Sequence, residues 1–86
     1  MAEVQTGSVK IPLHTGMKMD GALVKELTMR EPTVDDQLAS QAAGGSEAEQ
    51  QVVMIANLCM VTPKDIRSLT LRDYQRTVAM LMGFID

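Results

Sequence analysis

Eighty-six residues with 45% hydrophobic content and a net charge of −3 make one small domain, able to bury roughly 60–65% of its extended surface. The acidic total argues against a nucleic-acid binder that relies on phosphate contacts. The lone Cys59 excludes an internal disulfide and fits a reducing cytoplasm.

Residues 1–8 are small and polar, with neither the basic start nor the apolar run of a signal peptide, and fraying is expected there. Val9, Ile11 and Leu13 then alternate with Lys10, Pro12 and His14, the period of a half-buried strand. Pro12 cannot donate to a ladder, so this strand lies at an edge or carries a bulge, and Thr15-Gly16 bends it. Asp20-Gly21 is a strong hairpin signal, because a type I′ turn needs positive φ at both central residues. Leu23, Lys25, Leu27 and Met29 continue on one face as the return strand. The expectation is a β-hairpin over residues 9–30, packed on helices because an isolated hairpin is marginal in water.

Pro32 forces Glu31 out of the α region, and four capping boxes follow: Thr33 with Asp36, Ser46 with Glu49, Thr62 with Asp65 and Thr70 with Asp73. Each offers a hydroxyl to cap the helix and a carboxylate that complements the dipole. Asp replaces the commoner Glu in three of them. The first helix, Thr33 to Ala43, is weakly apolar (Val34, Leu38, Ala42) and stops at Gly44-Gly45. The second, Ser46 to about Met60, carries Ala48, Val52, Ile55 and Cys59 on one stripe and Met54, Leu58 and Val61 on another. Thr62 to Ser68 is a short third helix or a single turn anchored by Ile66, with Pro63 at its first position. The fourth, Thr70 to Ile85, repeats Leu71, Tyr74, Val78, Leu81 and Ile85 at spacings of three and four. The fold class is therefore α+β: an N-terminal hairpin on a bundle of three to four short helices in residues 33–86. The longest apolar run, Val52 to Val61, contains Asn57 and falls far short of the ~20 residues a membrane span needs.

Candidate chemistry is sparse. Cys59 lies between Leu58 and Met60, where desolvation raises a thiol's pKa instead of activating it. His14 has no Cys or second His with which to share a metal. Glu31, Asp35 and Asp36 are accounted for by a helix start, and Gly44-Gly45 lacks the strand and the Lys-Ser/Thr of a phosphate loop. No catalytic residue, cofactor or metal site is expected. From Thr77 to Ile85 there is no charge on any face, and a helix apolar all round is buried all round. An 86-residue chain has little material to cover its own end, so Val78, Leu81, Met82, Phe84 and Ile85 are expected to contact a partner or another copy. The competing reading has the hairpin and second helix covering them. Thr62-Pro63 leading to a helix with Arg72 and Arg76 also has the outline of a helix-turn-helix. A recognition helix, however, needs polar residues along its length, where this one has Met80, Leu81, Met82, Phe84 and Ile85.

The stretch from Asp20-Gly21 through Leu27-Thr-Met-Arg-Glu-Pro-Thr-Val-Asp-Asp resembles the E-like phage tail assembly chaperones of contractile-tailed phages. There an Asp-Gly turn precedes a Leu-x-Leu-Arg-Glu-Pro-Thr strand and an Asp-containing helix. The later spacing agrees too, at Leu58, Thr62-Pro63, Ile66, Leu69, Asp73-Tyr74 and Gly83-Phe84-Ile85, so that the likeness covers residues 9–86. Met29 stands where Leu is commoner, and residues 37–45 are less charged than the family pattern. The resemblance implies a non-enzymatic chaperone, acting in the host cytoplasm and absent from the finished virion. Its client would be the long helical tape measure protein, kept soluble until tail tube subunits polymerise around it. The resemblance also implies a possible frameshift-extended form, the 86 residues being the shorter one. Self-association is expected, and neither nucleic acid nor membrane is. A small homo-oligomeric structural or adaptor protein is the alternative.

Overall fold

The computed structural model describes residues 7–85, so most of the segment expected to fray lies outside the described residues. Two strands, β1 (Val9–Met19) and β2 (Ala22–Met29), pair antiparallel and are followed by α1 (Val34–Ala42), α2 (Glu47–Cys59), α3 (Pro63–Arg67) and α4 (Leu71–Ile85). The α+β hairpin-and-helices architecture is as the sequence implies. The turn is type I′ in form, with Asp20 at φ 53° and Gly21 at φ 81°.

The hairpin is not regular. Pro12 faces Glu26 and Met17 faces Val24, so four residues of β1 stand against Lys25 alone. Gly16 sits in this bulge at φ 87°, where an added Cβ would lie 2.7 Å from the Val24 carbonyl oxygen. The shift is three residues, an odd number, and it reverses which side of β2 meets the core. Leu27 and Met29 are buried below the bulge, whereas above it Val24 packs on the core and Leu23 is 58% exposed. The expectation of one continuous Leu23-Lys25-Leu27-Met29 face is thus corrected.

The helices begin where their caps place them. Thr33, Ser46 and Thr62 each form a complete capping box, with Asp36, Glu49 and Asp65 respectively. At its far end α2 closes on Met60, a non-glycine residue at φ 59°, while the Val61 N–H returns to the Ala56 carbonyl at 3.0 Å. Ile11, Leu13, Met17, Leu27 and Met29 from the hairpin meet Ile55, Ala56, Leu58 and Cys59 of α2, with Ile66, Leu69 and Leu81 completing the core. Within this arrangement α4 packs on β1, α2 packs on β2, and α1 packs on α2.

Candidate functional site

Two buried carboxylates set the orientation of the helices that carry the outward-facing apolar residues. The first is Asp73, fully buried. Its backbone N–H donates to the Thr70 hydroxyl at 3.2 Å, which is one half of the expected fourth capping box. The other half is not made by the side chain as expected. Instead the carboxylate accepts the N–H groups of His14, Thr15 and Gly16 at 2.7, 2.9 and 3.0 Å. Those donors sit in the β1 bulge, where the ladder provides no partner, and a buried N–H without an acceptor is costly. Burial pushes the Asp73 carboxyl up, but the N–H groups of His14, Gly16 and Thr15 outweigh it and hold the pKa below the ordinary value. Asp73 therefore ties α4 to the hairpin. Thr77, the other fully buried polar residue of α4, donates its hydroxyl to the Tyr74 carbonyl at 2.6 Å.

This tether turns α4 so that Asp73, Thr77 and Leu81 face inward. The expected Leu71-Tyr74-Val78-Leu81-Ile85 stripe is rotated accordingly, and Leu71 and Ile85 at its ends are exposed. Of the five residues expected to contact a partner, Leu81 is in the core and Val78 and Phe84 are half-buried against it. Met82 and Ile85 stand out, 48% and 63% exposed. Beside them Val9, Met80, Gly83 and Phe84 line a shallow depression of about 260 Å³ between the start of β1 and the end of α4. Hairpin and α2 thus cover one side of the uncharged helix end, and the other side remains open.

The second carboxylate, Asp36, takes a two-pronged grip from Arg30, both N···O distances being 2.7 Å, and also accepts the Thr33 N–H at 2.8 Å. The Arg30 guanidinium, first among these partners, holds the Asp36 carboxyl down to about 2 against the opposing effect of burial. Arg30 in turn donates its backbone N–H to the Leu58 carbonyl at 3.1 Å, joining the end of β2 to the last turn of α2. As a result α1 points Asp36 and Ser40 inward, while Val34 and Leu38 are 72% and 58% exposed. Sequence reasoning missed this inversion. The spacing of Val34 and Leu38 was visible, but the Arg30 partner that decides which way the helix faces lies across Pro32 and outside the helix.

Burial pushes the Cys59 thiol up to about 11, so it is an inert core side chain. Among the described residues no three His, Cys, Asp or Glu side chains gather as a metal requires, and no helix is long and apolar enough to cross a membrane. The arrangement leaves Val34 and Leu38 of α1 and Leu71, Met82 and Ile85 of α4 exposed.

The model of the family described as phage tail assembly chaperone proteins, E, or 41 or 14, matches residues 10–86. No curated protein and no solved structure matches the chain. With nearly its whole length covered by that model, the chain belongs to the phage tail assembly chaperone family.

Proposed function

We propose that the chain binds the tape measure protein and keeps it soluble during tail tube assembly, acting by adhesion and without catalysis. The observation that carries this reading, beside the family, is the uncharged end of α4, where Met82 and Ile85 lie open next to the Val9–Phe84 depression. A long amphipathic helix lays its apolar face against a surface of this kind. Met side chains re-pack easily, so one surface can accept the changing side chains of a long client. Each contact is small, and many copies along one client supply the strength through multivalency. Self-association of the chain and a frameshift-extended form belong to the same reading, as does action in the host cytoplasm with no place in the finished virion.

The test is co-expression with the phage's own tape measure protein, reading the soluble fraction of the client. Met82→Asp combined with Ile85→Asp is expected to leave the chaperone folded by circular dichroism and the client insoluble. Leu81 is unsuited to the test because its buried side chain would confound folding with binding. Client as soluble with the double variant as with wild type would sink the assignment of α4.

A further inference from the structure

Helix α1 is amphipathic, yet it is seated with its polar side in. Asp36 and Ser40 are buried while Val34 and Leu38 lie in water, the reverse of an ordinary amphipathic helix on a core. It buries no large apolar side chain, and the Arg30–Asp36 grip fixes which side faces in. At the far end of α1 lies an open groove of about 360 Å³, walled by Ala43, Ala48, Val52, Val53 and Pro63. Val52 and Val53 are only half-buried, so α2 keeps part of an apolar face uncovered. One chain therefore carries an unfilled apolar groove and, joined to its rim, an unused apolar stripe. Leu38 precedes Ala43 of the groove wall by five residues, about 7.5 Å along a helix.

The connections permit α1 to turn. Gly44 and Gly45 follow it at φ 77° and 86°, and glycine passes between backbone regions closed to other residues. A Cβ at Gly44 would meet no atom within 4 Å, so the link is not wedged in place. On the other side, residues 31–33 lie outside helix and strand and are exposed or half-buried.

We propose that α1 is a strap with two seats on its own chain. In the first, Arg30 latches Asp36 and the groove stands open. In the second, α1 has let go, turned by roughly 200° about its axis and re-formed with Leu38 and Val34 in the groove and Asp36 in water. A two-pronged charged bond with a partly exposed Arg30 holds the first seat, and apolar burial favours the second. What fills the groove holds the latch shut, and an anion that takes Arg30 from Asp36 closes the groove, because both equilibria share one helix. This device goes beyond the tape measure reading and does not rest on it.

Methyl NMR of the full chain tests it. In wild type, relaxation dispersion is expected at the methyls of Leu38, Val52 and Val53 and not at those of Ile55 and Leu58, with the second seat populated at about 0.1–10%. Arg30→Met removes the grip but keeps the backbone bond from residue 30 to Leu58. It is expected to raise that population about tenfold or more. Nuclear Overhauser contacts should then appear between Leu38 and Val52 or Val53 methyls while α1 keeps helical Cα shifts. Asp36→Asn, which spares the cap geometry, should move the population the same way by less, and Leu38→Asp added to Arg30→Met should abolish the contacts. An α1 that turns to random coil in both latch variants has a single seat, and the proposal falls. It falls equally if α1 stays helical with Leu38 touching neither valine. Client solubility, which tests the end of α4, is decided separately.

Discussion

The Asp73 carboxylate is a long-range tether where a capping carboxylate was expected, and the two roles differ in what they contribute. A capping carboxylate at an exposed helix start, such as Asp65, is worth about 1 kcal/mol. Removing Asp73 strands three bulge N–H groups in a buried site, which costs about 3 kcal/mol or more. Asp73→Ala is therefore expected to lower the urea midpoint far more than Asp65→Ala, and equal shifts would mean that the three bulge bonds contribute no more than a cap does. The same geometry fixes the acid limb of stability. Asp36 and Asp73 both have folded pKa values below the ordinary one. Their contribution is thus present above about pH 4 and is lost as pH falls toward the folded values. Stability measured by denaturant titration should drop over that interval in wild type and less steeply in Asp73→Asn. The pairing of Thr70 with Asp73 was legible locally. Its diversion was not, because the donors lie 57 to 59 residues away in a bulge whose length no local pattern encodes.

At the scale of elements, local chemistry decided starts and stops, and tertiary contacts decided which way each element faces. The boxes at Thr33, Ser46 and Thr62 are made by side chains three residues apart, so helix positions could be read from the chain within a residue. Asp20-Gly21 fixed the turn for the same reason. The direction of a face depends on counting, and a bulge changes the count. Pro12 and Gly16 announced an irregularity in β1 without giving its size, and a three-residue shift moved Leu23 to solvent. The consequence is measurable. Leu27→Ala is expected to cost about 2–5 kcal/mol, as large-to-small core changes do, while Leu23→Thr stays within about 0.5 kcal/mol. Comparable losses in thermal or urea unfolding would restore the unbroken face. α1 follows the same logic, with Arg30 in place of the bulge: a polar grip from outside the helix overrides its own apolar spacing.

For the molecule as a whole, the two carboxylates divide the structure into parts held with unequal strength. The hairpin, α2 and α4 share the apolar core, and Asp73 adds a polar tie between hairpin and α4. By contrast α1 buries no large apolar side chain, and it is held by its contact with α2 and by the Arg30–Asp36 grip. Local opening free energy follows buried apolar contact, so α1 should open alone and often, while β1, β2 and α4 open together. Native-state hydrogen exchange followed by mass spectrometry is expected to show α1 amides exchanging first, well before those of α2. Asp36→Ala should speed exchange in α1 and leave the hairpin untouched. Asp73→Ala should speed exchange in β1 and α4 together, because the tie it removes spans both. Amides of α1 that exchange only with the core would mean the helix is held by more than these polar contacts.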